Sequence, residues 1–151
     1  MSTFSAEQFM QGSVTDAHDT VVPRVPDGIY LAQVNKLDFR TLEANGDNPE
    51  RTIMEVTWNI LDEKVAKLTG IANPIVRQSI WLDLDAQGKL LTTSGKNVGL
   101  GRLRDALGQN KAGKPWAPNM LVGGSARVSV KGILNKKDGE TYSQVDKVTK
   151  A

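Results

Sequence analysis

The chain has 151 residues, 39% of them hydrophobic and 24% charged, which suits one domain with its own core. It has no cysteine and one histidine, His18, which excludes disulfides, thiol nucleophiles, cysteine-ligated metals and two-histidine chemistry. The net charge of +2 conceals an asymmetry: residues 1–85 carry 7 Lys/Arg against 13 Asp/Glu, and residues 86–151 carry 12 against 4. A basic half of this kind fits a polyanionic partner, or simply an unevenly charged solvated surface.

Residues 1–26 read as a flexible arm, and residues 27–151 as the folded domain. The arm is polar and ends in Val-Pro-Arg-Val-Pro. Ser5 and Gln8 are spaced as a capping box, with Phe4 and Phe9 at the staple positions, so a short helix ending at Gly12 is expected. Two readings stand: a small docking helix that supports self-association, or a frayed terminus with two incidental aromatics. On the first, a truncation starting at Asp27 would stay folded and lose assembly. No basic region followed by an apolar run marks a signal peptide, and no run approaches the roughly 20 residues of a membrane span. The expected setting is the cytoplasm, with no membrane contact.

Residues 29–40 predict a first strand, with Tyr30, Ala32 and Val34 on one face. Its length suggests a bend that lets it serve two parts of a sheet. Residues 41–50 form a loop punctuated by Asn-Gly and Asn-Pro. The second strand, 52–60, turns Met54, Val56, Trp58 and Ile60 one way and Ile53, Glu55, Thr57 and Asn59 the other. Trp58 is thus a core residue. A connector, 62–74, holds a helical turn over 63–68. The third strand, 75–84, faces Val76, Gln78, Ile80 and Leu82 inward and Arg77, Ser79, Trp81 and Asp83 outward. Gln78 on the inward face is the weak point of that assignment.

Period 3.6 then takes over. Ser94 is expected to cap a helix running to Leu107, with Gly108 as its stop. Gly99 and Gly101 fit a helix lying close against a sheet. Residues 109–124 form a loop containing Trp116. Ala126, Val128 and Val130 define a fourth strand, Asn135 to Glu140 a turn with Asp-Gly in it, and residues 141–148 the return strand. The predicted fold is mainly β: an OB-like five-stranded barrel with one helix between strands three and four, plus the N-terminal arm. A β-sandwich with an incidental helix is the second possibility.

Motifs for chemistry fail one by one. Gly108 to Lys114 spells G-x-x-x-x-G-K, but Pro115 stands where a magnesium-binding hydroxyl is required. Asp83, Asp85 and Gln87 open like a calcium loop, yet the twelfth position is Ser94 rather than Glu. Gly99 and Gly101 begin a dinucleotide fingerprint that Arg104 breaks. The carboxylate pairs Asp62–Glu63 and Asp83/Asp85 sit in loops and suit turns. No catalytic residue, metal or cofactor is expected.

Basic and aromatic residues are more informative. Trp81 and Arg77 share the outer face of strand three, where a base can stack on the ring. Covering by the arm or by a subunit is the competing explanation. Arg127 and Lys131 lie on the outer face of strand four, and Lys136 and Lys137 in the turn after it. Trp116, with Lys111 and Lys114, either stacks or pins its loop. Together Trp81, Arg77, Arg127, Lys131, Lys136, Lys137, Trp116 and Lys114 form the predicted DNA-binding set, since cations that track phosphate and rings that stack are what sequence-tolerant strand binding needs.

Gly28-Ile29-Tyr30-Leu31-Ala32, Leu121-Val122-Gly123-Gly124, Ala126-Arg127-Val128-Ser129-Val130 and Gly139-Glu140-Thr141-Tyr142-Ser143-Gln144-Val145 carry a likeness. Over residues 27–148 the chain resembles small phage-encoded single-stranded-DNA-binding proteins with an OB fold. The resemblance implies protection of single-stranded DNA during phage replication or recombination, in the host cytoplasm, with replication or recombination proteins as partners. Many such proteins end in an acidic recruiting tail, whereas this chain ends Asp-Lys-Val-Thr-Lys-Ala. A β-rich phage structural or assembly protein is the alternative. A nuclease or deaminase would need a constellation the sequence lacks.

Overall fold

The computed structural model describes residues 3–21 and 23–151. Five strands, β1 (Gly28–Leu42), β2 (Arg51–Ile60), β3 (Ile75–Leu82), β4 (Ser125–Leu134) and β5 (Thr141–Lys150), form a closed barrel in the order β1-β2-β3-β5-β4. Helix α1 (Ala6–Gln11) precedes them, α2 (Glu63–Thr69) joins β2 to β3, and α3 (Val98–Ala106) lies between β3 and β4. No helix among the described residues is long and apolar enough to cross a membrane.

The length of β1 has the expected use. Its first half pairs with β4, from Gly28↔Val130 to Gln33↔Ser125, and the rest with β2, from Ala32↔Ile60 to Leu42↔Arg51. The register shifts between Val34 and Lys36. A bulge of this kind bends the strand and flips its parity. Hence Val34 faces the core, Leu37 packs against that same core, and the even-numbered Lys36, Asp38 and Arg40 point outward.

Trp58, Met54, Leu103 and Leu121 are the largest fully buried side chains. The inward position of Gln78 has a physical reason: the Trp58 indole Nε1 donates to its Oε1 at 3.0 Å. A buried indole N–H needs an acceptor, and Gln78 is one strand away. Trp58 is therefore core, as its alternation requires, and the inward face of β3 stands without a bulge.

The helix between β3 and β4 starts later than Ser94. Asn97 is its N-terminal flank, at φ +52° and with no side-chain cap on the helix. Its amide is committed elsewhere. Nδ2 donates to the Asp83 and Leu91 carbonyls at 2.8 and 2.9 Å, and Oδ1 accepts from the Asp83 N–H at 2.7 Å. Asp83 returns a bond, its Oδ2 accepting from the Asn97 N–H at 2.8 Å. Asparagine tolerates the left-handed backbone that this clasp requires. Asn97→Gly keeps that backbone and its N–H bond to Asp83 and removes the three side-chain bonds of the clasp. Because the bonds are part-buried and water takes over some of them, the expected loss is about 1–2 kcal/mol by urea denaturation. Unchanged stability would show the clasp to be incidental. The glycine pair has less to do than expected. A Cβ on Gly99 would lie 3.6 Å from the Ile80 Cγ2, an ordinary contact, and one on Gly101 would meet nothing.

Residues 24–26 pack with the barrel rather than with the arm. Val25 is buried in the core cluster. Arg24 Nη1 donates to Asp27 Oδ1 at 3.0 Å, to the Val25 carbonyl at 3.1 Å and to Ser143 Oγ at 3.2 Å. The Gly132 N–H donates to Asp27 at 2.9 Å, and the Ser143 hydroxyl donates to the Val25 carbonyl. The Arg24 bond and then the Gly132 N–H hold the Asp27 carboxyl below its usual range. A Cβ on Gly132 would lie 2.8 Å from the Arg24 guanidinium carbon and 2.9 Å from the Thr141 Cγ2, so a side chain here would push the Arg24 head group aside. A truncation at Asp27 therefore removes a core side chain along with the arm. The helix of the arm forms as its caps direct: Ser5 Oγ accepts from the Gln8 N–H at 3.5 Å, and the Phe4 and Phe9 rings lie 5.6 Å apart. α1 buries no residue.

Candidate nucleic-acid interface

Alternation turns Trp81 outward on β3, where it is 48% exposed. Its register neighbour on β2 is Ile53, and beyond that Arg40 on β1. Ile53 lies on the outer face, apart from the core cluster, yet it is buried. Arg51, two residues earlier on the same face of β2, lays its guanidinium over the Trp81 ring, 4.5 Å from the centroid. An exposed cation–π contact of this kind is worth about 0.5–1 kcal/mol. It holds a cation beside an aromatic face without locking either.

A second row crosses the outside of the barrel. Lys131, Gln144, Arg77, Thr57 and Lys36 are successive register partners on β4, β5, β3, β2 and β1. The row brings Arg77 and Lys131 to one surface, as the strand faces predict. It also shows that both are already paired. Arg77 Nε lies 3.3 Å from Glu55 Oε1, and Lys131 Nζ lies 3.2 Å from Asp146 Oδ2. Exposed pairs contribute about 0–1 kcal/mol, so phosphate can displace the carboxylates, but these two cations begin partly neutralised.

Lys136 and Lys137 are exposed in the β4–β5 turn. Asn135 Oδ1 accepts from the Lys137 N–H at 3.0 Å and Gly139 takes φ +75°, so the turn is shaped by Asn and Gly and both lysines project into solvent. They sit beyond the Leu134↔Thr141 pair, at the opposite end of β3 from Trp81. Arg127 is outward on β4, between Leu31 and Thr149 in the register, and Thr149 lines a cleft with Trp81.

Trp116 and Lys114 are not brought together with the others. Trp116 packs against the core, its Nε1 donates to Gln109 Oε1 at 2.9 Å, and the Arg104 guanidinium lies 4.1 Å from its ring centroid. Arg104 also donates to the Gln109 carbonyl at 3.0 and 3.2 Å. Trp116 therefore pins its loop, and of its two sequence readings the pinning one fits. Lys114 lines a cleft with Lys96 and Arg104 on the far side of α3.

The sequence reading missed Arg51 and Arg40. Arg51 shares the parity of Ile53 and Glu55, so alternation alone would have placed it on the wet face. Arg40 needed the bulge, which no local signal announces. The loop carboxylates hold turns. Asp85 Oδ1 accepts from the N–H groups of Gln87 and Lys89, each at 2.9 Å. Fold and surface together define a closed five-stranded β-barrel with an outward aromatic–cation cluster. No protein-family model matches the chain, and no curated protein does.

Proposed function

We propose that the chain binds single-stranded DNA with little sequence preference and protects or organises it during phage replication or recombination. The observation that carries this reading is Trp81: a half-exposed indole on the outer face of β3 with the Arg51 guanidinium over its ring and Arg40 two strands across the sheet. A base stacks on the ring, and the displaced Arg51 guanidinium takes up a phosphate. The strand order and the helix between β3 and β4 support an OB assignment, a fold whose β2–β3 face and flanking loops bind oligonucleotides. The protein acts without catalysis or cofactor.

The test is a fluorescence titration with an oligothymidine at two salt concentrations, beside a duplex of equal length. Affinity for the single strand should fall with salt, by about 0.7 in the log–log slope for each phosphate neutralised. No binding at low salt, or equal affinity for duplex, overturns the proposal. The assembly alternative draws support from outward Ile29 and Leu31 on β1, which are 68% and 41% exposed. Self-association without DNA binding would favour it.

A further inference from the structure

β3 and β5 close the barrel through a single parallel bridge, Arg77 to Gln144. Clefts open along this seam. One, of about 790 Å³, is lined by Trp81, Arg102, Lys147 and Lys150 among others. A second, of about 350 Å³, is lined by Arg40, Arg77 and Tyr142 among others. Ser79 lines both, so the two clefts adjoin along β3.

Tyr142 stands at the end of this groove opposite Trp81. It is 48% exposed, as Trp81 is, and its register partner Ile133 is on the edge of exposure at 37%. Its hydroxyl makes no hydrogen bond among the described residues. A ring half in water beside a basic groove has the same chemistry as Trp81: a flat π-face with cations around it. Those cations differ in availability. Arg40, Arg102, Lys147 and Lys150 make no ion pair among the described residues, whereas Arg77 and Lys131 are held by Glu55 and Asp146. Asp105 and Asp146 in the larger cleft and Glu55 in the smaller one subtract from this positive charge.

We propose that Tyr142 is a second base-stacking platform and that the β3–β5 groove is the track joining it to Trp81. Phosphates between the two rings meet Arg40, Arg102, Lys147 and Lys150 rather than the paired Arg77 and Lys131. The bound strand then runs beside β3, from the β4–β5 turn end toward the β1–β2 loop end. This inference rests on the single-stranded-DNA reading above.

The experiment uses the full chain and an oligothymidine of about 12 nucleotides, within the span one such fold covers. Tyr142→Ala should weaken binding by about 5- to 140-fold with an unchanged salt slope, and Tyr142→Phe should bind like the wild type, because stacking needs the ring and not the hydroxyl. Lys147→Ala with Lys150→Ala should reduce the slope, and Lys67→Ala, on the exposed side of α2, should leave it as it was. An oligomer carrying 5-iodouracil at single positions should photocrosslink to Trp81 at one position and to Tyr142 at another. If the wild type binds and Trp81→Ala weakens it, while Tyr142→Ala is without effect and no crosslink reaches Tyr142, the second platform is wrong and the DNA reading survives. If the wild type binds no single strand at all, both fall together.

Discussion

Trp58→Ala is expected to lower the unfolding free energy by about 3–5 kcal/mol, the range for removing a large aromatic from a packed core. The side chain is 0% exposed. Its neighbours in the register, Val34 and Val76, come from the two strands that flank β2 and are themselves buried, so the cavity has little room to collapse. The substitution also strands the Gln78 Oε1, which accepts the indole N–H at 3.0 Å. A domain of this size has only about 5–15 kcal/mol in total, so the variant should be marginal at room temperature in urea denaturation. Trp58→Phe isolates the polar part. It keeps an aromatic ring and leaves the Gln78 amide short of one partner, at a smaller cost of about 1–3 kcal/mol. Gln78→Leu in the Phe background should recover part of it. Wild-type stability for Trp58→Ala would mean that the inward face of β2 has been misassigned.

Trp81→Ala should do the reverse. The ring is half in water, with the Arg51 guanidinium over it. The expected stability change is within about 1 kcal/mol. Affinity for single-stranded DNA should drop by about 1–3 kcal/mol, or 5- to 140-fold. The salt slope should barely move, because stacking releases few ions. Lys136→Ala with Lys137→Ala reads the other component: if these turn lysines touch phosphate, the slope falls by up to about 0.7 for each one lost. Should Trp81→Ala unfold the protein while leaving residual binding unchanged, Trp81 belongs to the core and the site is elsewhere.

Much of this surface was legible because side chains alternate along a strand. The outward turn of Trp81 and Arg77, and the inward turn of Trp58, follow from their neighbours alone. Arg77 and Lys131 looked like free cations for the same reason that they were found: alternation reports a face and is blind to what lies across it. Glu55 and Asp146 belong to other strands, and only pairing brings them within 3.3 and 3.2 Å. Trp116 carried no periodic signal, so its loop-pinning role waited on Gln109 and Arg104. Tyr142 has no clean alternation around it to give its face. The β4–β5 register, with its shift between Ser129 and Val130, is what turns it outward beside Ile133.

The sequence by itself determined the order of strands and helix, the inward and outward sets of β2 and β3, the short helix at Ser5 and the turn around Asn135. Each is decided by residues within a few positions of one another, where period, caps and turn chemistry act. Tertiary structure decided the rest. The bulge after Val34 reverses the second half of β1 and puts Arg40 beside Ile53. Asn97 displaces Ser94 as the flank of α3 because Asp83 and Leu91, reached only once β3 has ended, hold its side chain. Val25 joins the core because Ser143 on β5 bonds its carbonyl and the Arg24 side chain, while Gly132 on β4 holds Asp27 beside it. The groove beside β3 exists because β3 and β5 meet at one bridge and then part. These are contacts between residues far apart in the chain, and their energy is set by the partner that folding delivers, which no local pattern encodes.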